Sequence, residues 1–325
     1  MSSVTAYHSG LFKLGAVRRL TRWLEATPHP GLVIEVSPDR AAAARFTRTG
    51  ALDGFAVELL PPGAVVPSAI ETNLVNLAAA KAAISNLADT LKMKDEDAAL
   101  LVPDPVIRVF VQHFDDFPRT SEEAIPMLRW KLKKSVPFEV DETLLSYMRQ
   151  PPRGEGVDVV TSIARLRIIK EYESLLEPIG VRPGVVLSST LAAISLLEEN
   201  RPTLLARLSG TSLTTAIVRE GMLAGYRCTE LPATASQVTP QMLLEEIFPL
   251  AAYYQDTWQE GIQAVRVAGL HKRLPEFVRP LQDEFQCDVG SLLNAAISDG
   301  RLHSDVRPLA DRELEGLVGW MKHKN

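Results

Sequence analysis

Cysteine is scarce: Cys228 and Cys287 stand far apart in 325 residues, with no Cys-x-x-Cys pair. That excludes a disulfide framework and a thiolate zinc site, and fits a reducing compartment. A surplus of positive charge is also missing, since 35 Lys and Arg stand against 40 Asp and Glu, a net charge of −5. Duplex nucleic acid demands a basic excess, so dedicated nucleic-acid binding is not expected. No stretch supplies the roughly 20 uncharged apolar residues of a membrane-spanning helix. The opening does not read as a secretory signal, because Lys13, Arg18, Arg19 and Arg22 interrupt its apolar residues. The six histidines never adopt metal-ligand spacing on a helix, and there is no Gly-x-Ser-x-Gly elbow, Walker loop or Gly-x-Gly-x-x-Gly.

What is present is a 46% hydrophobic content, enough to bury sizeable cores, over a length that suits two domains or one two-lobed body. Leu14, Val17, Leu20 and Leu24 share one face of a basic amphipathic helix in residues 1–30. Such a helix rests in a membrane interface or docks on the protein's own body. Next come short β-branched runs split by turns: Gly31–Val36, Ala41–Phe46 and Gly54–Leu60, an antiparallel meander. Apolar spacings of three and four predict a helix from Leu74 to Leu91, and Thr120 with Glu123 reads as a capping box opening a helix that ends near Pro137. The apolar run Val106–Phe110 reads as a strand, and Leu166–Leu176 and Leu191–Glu198 as helices.

After the break at Asn200-Arg201-Pro202 the theme repeats. Strands Leu204–Leu208, Thr214–Arg219 and Met222–Tyr226 precede a helix Met242–Gln259, a strand Ala264–Ala268 and a helix Leu274–Phe285. The chain therefore divides into residues 31–200, carrying a small inserted subdomain at about 106–164, and residues 201–300. A closing helix in 301–325 is expected to return to the first lobe. The expected class is α/β with mixed sheets, in a duplicated two-lobed architecture.

The stretch Ser121-Glu-Glu-Ala-Ile-Pro-Met-Leu-Arg-Trp130, followed by Lys131-Leu-Lys-Lys-Ser-Val-Pro137-Phe138 and then Val140-Asp141-Glu142 and Tyr147, resembles the signature of the PilM family of type IV pilus assembly. Leu11-Phe12-Lys13 is similar to that family's basic lead-in, and Leu317-Val318-Gly319 to its closing helix. The cytoplasmic part of GspL, from type II secretion, is a weaker match. The resemblance implies an actin-like ATPase (ribonuclease H-like) fold with the inserted subdomain in lobe one, and a place at the cytoplasmic face of the inner membrane. The implied partner is the tail of a PilN-like membrane protein, with pilus motor or platform proteins as further candidates.

The family's nucleotide turns are altered here. Where the first reads Gly-Ile-Asp-Ile-Gly, this chain has Gly31-Leu-Val33-Ile-Glu35-Val-Ser37-Pro38; where the second carries Asp-Ile-Gly, it has Leu208-Ser-Gly210-Thr211-Ser212. The adenosine turn keeps a single glycine, Gly269. Valine and leucine cannot organise a hydrated cation, so no cofactor is expected, and the chain reads as a pseudo-ATPase scaffold whose degenerate nucleotide positions are Ser37, Gly210, Thr211, Ser212 and Gly269. The alternative is a Mg-ATP-binding switch or weak ATPase in the same machinery, with Glu35, Asp39 or Glu58 taking the metal. Gly210–Ser212 reads equally as an ordinary turn before a Thr-rich strand.

Trp130, Pro137 and Phe138 are candidates for binding a partner's extended segment, against core packing of the inserted subdomain, which is expected of Trp130 before Phe138. Arg18, Arg19 and Arg22, with Lys131, Lys133 and Lys134, are candidate membrane contacts.

Overall fold

The computed structural model describes residues 29–152, 155–198, 200–302 and 304–322. The strands β1 (Leu32–Val36), β2 (Arg40–Phe46) and β3 (Leu52–Leu59) form the expected meander. Helix α1 (Leu77–Leu91) carries the chain to β4 (Asp97–Val102), which pairs parallel to β1. The β4 run Ala98–Val102 is wholly apolar and wholly buried, as a strand covered on both faces requires.

A 3-10 turn at Asp104–Val106 precedes β5 (Arg108–Phe114), α2 (Ser121–Leu132), β6 (Thr143–Arg149) and β7 (Val157–Arg165), which form a three-stranded antiparallel sheet in the order β5-β7-β6. Then α3 (Leu166–Glu173), β8 (Arg182–Ser188) and α4 (Ser189–Ala193) complete a five-stranded sheet, order β3-β2-β1-β4-β8.

The second five-stranded sheet has the same plan. Its strands β9 (Thr203–Ser209), β10 (Ser212–Arg219) and β11 (Met222–Glu230) are a meander; α5 (Pro240–Trp258), β12 (Ala264–Ala268), α6 (Leu274–Phe285), β13 (Asp288–Ser291) and α7 (Leu292–Ser298) follow. The order β11-β10-β9-β12-β13, with β12 parallel to both β9 and β13, matches the first sheet strand for strand. The repetition inferred from sequence is thus a repetition of topology. Helices α8 (Arg307–Ala310) and α9 (Glu315–Lys322) end the described chain, and α9 lies on α4 and β1 of the first lobe. Among the described residues no helix is long and apolar enough to cross a membrane.

Several local expectations are corrected. Thr120 is the N-cap of α2, but its side chain makes no capping hydrogen bond. The strand expected at Val106–Phe110 begins only at Arg108, because Pro105 and the 3-10 turn come first. Helix Leu191–Glu198 is instead one turn of α-helix and a 3-10 turn, Ile194–Leu196.

Strand alternation decides what meets between the lobes. On β9, Leu204, Ala206 and Leu208 join the core beneath α5 and α6, while Leu205 belongs to the core continuous with lobe one. Arg207 lies on that same inward face. The three-stranded sheet reaches lobe two through Gln150, whose buried side-chain amide donates to the carbonyl of Leu223 at 2.8 Å and accepts from its N–H at 2.7 Å.

Candidate functional site: the closed cleft between the lobes

The β1–β2 and β9–β10 hairpins bring their tips together. Ser37 uses its hydroxyl within its own turn, at 3.0 Å from both Asp39 Oδ1 and the carbonyl of Arg40. Gly210 has φ +59, and a Cβ there would lie 3.0 Å from Cγ of Pro38. The tips are thus in direct contact, a packing that a residue larger than glycine would disturb.

Behind the tips lies a buried ionic cluster. Arg207 of β9 donates to Glu35 of β1 at 2.9 Å, lies 3.5 Å from Asp104 and 3.9 Å from Glu315 of α9, and all four side chains are at least 95% buried. Asp104 accepts from the N–H of Thr190 at 2.9 Å, from its hydroxyl at 2.5 Å, and from Thr214 of lobe two at 2.8 Å. Glu35 also faces the first turn of α9, where a Cβ on Gly316 would lie 3.1 Å from both carboxylate oxygens, so the helix dipole supplements Arg207. Burial alone would lower the Arg207 pKa, but Glu35, Asp104 and Glu315 together raise it. Burial raises the Glu315 carboxyl to about 7 against the opposing pull of Arg207. One guanidinium does not balance three carboxylates, and the most distant of them is the cheapest to keep neutral.

The cleft residues do not fit a Mg-nucleotide. A hydrated cation needs carboxylates with lone pairs to spare, and phosphates need open backbone N–H groups between the turns. Here Asp104 is engaged by Arg207, Thr190 and Thr214, Glu35 pairs with Arg207 through Oε1 alone and leaves only its Oε2 without a partner, Pro38 has no N–H, and the tips touch. Val33 is fully buried in the lobe-one core and Leu208 faces the core of lobe two. Gly269 has φ +83 and a Cβ there would lie 2.0 Å from the carbonyl oxygen of Leu208, so its glycine is demanded by close approach to β9.

Of the positions named from sequence, Gly210, Thr211, Ser212 and Pro137 line one cavity of about 570 Å³ at the cleft mouth, together with Pro38, Arg108 and the Pro67–Ile70 loop. Ser37 is buried in its turn, and Gly269 does not line this cavity. The expectation for the aromatic pair reverses: Trp130 is 79% exposed on α2, whereas Phe138 packs on a small core of Leu132, Val136, Val140 and Ile163. Lys131 caps the Phe114 ring at 3.8 Å, and Lys133 and Lys134 are exposed. Arg18, Arg19 and Arg22 lie outside the described residues. A second cavity, about 360 Å³, runs between two sheet edges, lined by Leu144–Ser146 of β6 and Pro183–Leu187 of β8.

Arg207, Asp104 and Glu315 were not singled out from sequence. The available signals were an arginine inside the apolar run Leu204–Leu208, an aspartate between two prolines, and a glutamate opening an apolar helix.

No protein-family model and no curated protein matches the chain by sequence. Among solved structures, a protein from Bacteroides thetaiotaomicron with an actin-like ATPase fold and unknown function superposes with TM-score 0.51 at 12% identity, covering 88% of this chain and 96% of that one. The chain thus has the actin-like ATPase fold. A stronger likeness, TM-score 0.68 at 16% identity over 90% of this chain and 98% of the other, is to a chain of the PilM–PilN type IV pilus biogenesis complex. The cytoplasmic domain of EpsL, an inner membrane component of the type II secretion system of Vibrio cholerae, matches more loosely, with TM-score 0.45 at 12% identity over 73% of this chain and 81% of that one.

Proposed function

We propose that this protein is a non-catalytic actin-fold scaffold of a type IV pilus or related secretion machine, working at the cytoplasmic face of the inner membrane. Its partner is the cytoplasmic tail of a PilN-like membrane protein. The observation that carries the non-catalytic reading is the Arg207 cluster, which puts an ion pair between the lobes where a nucleotide-dependent relative would hold Mg-ATP. The partner rests on the fold likeness to a chain of the PilM–PilN complex and on a surface suited to an extended peptide. Strands β6 and β8 are both sheet edges, and each presents unpaired main-chain groups toward an apolar groove. Trp130 and Pro137 are exposed and remain contact candidates for the same partner; Phe138, packed inward, is a structural support.

The test is titration of a synthetic PilN-like N-terminal tail into the full chain. Saturable binding that weakens about tenfold or more on Leu144→Arg, a loss of roughly 1.4 kcal/mol, supports the reading. Absence of binding to the tail of any membrane-platform protein encoded beside this one contradicts it.

A further inference from the structure

The cavity at the cleft mouth holds a feature that the scaffold reading does not use. Arg108, at the start of β5, lines it from the three-stranded sheet, and the guanidinium Nε is buried with no hydrogen-bond partner. Among the described residues it is the one arginine drawn in from the exposed surface that has neither a carboxylate within ion-pair reach nor a side-chain hydrogen bond. Every other such arginine meets a carboxylate or a carbonyl: Arg40 that of Glu313, Arg129 that of Thr143, Arg165 that of Ile70. A half-buried guanidinium whose Nε is shut off from water without a partner is under-satisfied, and an anion reaching it would be favoured.

The surroundings define the anion. Thr211 and Ser212 line the same cavity, and among the described residues neither hydroxyl makes a hydrogen bond, so two donors share the cavity with Arg108. Five prolines contribute to the walls, among them Pro38, Pro105 and Pro137; their fixed φ makes the cavity preformed rather than induced. The loop wall is held from behind, since Arg165 and Arg167 both donate to the carbonyl of Ile70, at 3.1 and 2.7 Å. Asp39 and Glu230 are exposed at the rim. Two rim carboxylates repel a polyanion such as a triphosphate, but attract a cation carried into the same cavity as Arg108.

We infer that this cavity is a binding site for a ligand bearing a carboxylate at one end and an amide or ammonium group at the other, the carboxylate pairing with Arg108 and the other end facing Asp39 and Glu230. A free amino acid and an acidic residue within a peptide share this chemistry. The site is separate from the β6–β8 groove, so its failure leaves the scaffold reading standing.

The test is calorimetric titration of the full chain with three probes: acetate, L-glutamate and a capped Glu-Lys dipeptide. The site predicts saturable binding of L-glutamate or the dipeptide in preference to acetate. Binding of L-glutamate alone identifies a free amino acid, and binding of the dipeptide an acidic residue in a peptide. Arg108→Gln should weaken the preferred probe about tenfold or more, with Arg108→Lys intermediate, while Leu144→Arg leaves it unchanged. Glu230→Gln should narrow the advantage over acetate without altering the fold, which keeps the inference testable should Arg108→Gln fold poorly. Equal binding to wild type and Arg108→Gln, an advantage untouched by Glu230→Gln, or no saturable binding of any probe would each overturn it.

Discussion

Glu315 shows how one residue couples the cleft to its surroundings. Its carboxyl is raised to about 7 by burial, while in the unfolded chain it titrates near the ordinary glutamate value. The folded state therefore holds a proton more tightly, and the stability this residue contributes is fully present below about pH 4.5 and lost as the pH rises through about 7. A shift of that size is worth on the order of 3 kcal/mol. His271 acts in the same direction: its hydrogen bond to Glu313 raises it, so that contact too weakens as the pH climbs. Chemical denaturation of wild type and Glu315→Gln between pH 5 and 8 should show the wild type losing stability relative to the variant as the pH rises; parallel curves would refute the assignment. Arg207→Met removes the cation that pairs with the buried Glu35 and Asp104, and should cost about 3 to 5 kcal/mol, read as a shift in denaturation midpoint.

Elements were read well from sequence wherever one local rule settled them. Strand β12 and helix α6 have the expected limits, and α5 differs by two residues at its start and one at its end, because apolar runs and three-four spacing are properties of the segment itself. The capping box failed because Thr120 and Glu123 satisfy a pattern without making its hydrogen bond. Accordingly Thr120→Ala should change stability by less than about 0.5 kcal/mol, whereas Thr239→Ala, which removes the hydroxyl capping the N–H of Met242 at the start of α5, should cost about 1 kcal/mol. Helix α9 is seated by a close approach invisible in sequence: a Cβ on Gly319 would lie 2.2 Å from the carbonyl oxygen of Ala192. Gly319→Val should displace α9 from α4, measurable as faster hydrogen exchange in both helices.

For the whole molecule, the fold class was legible because the meander-helix-strand order occurs twice, and the two sheets carry it with identical strand order. The site was legible only in its losses. Val33 and Leu208 stand where the sequence resemblance calls for acids, but nothing local told which strand face would look into the cleft. Alternation places Arg207, one residue from Leu208, on the inner face, where it meets Glu35 from a strand 172 positions earlier. Pairings at such separations are set by the packing of the lobes, as are the contacts of Asp104 with Thr214 and of Glu315 with Arg207.

The central claim is that this cleft is closed by its own charges and takes no Mg-nucleotide. Calorimetric titration of Mg-ATP into the full chain tests it most directly: the account predicts no saturable binding, and micromolar binding that disappears with EDTA would contradict it.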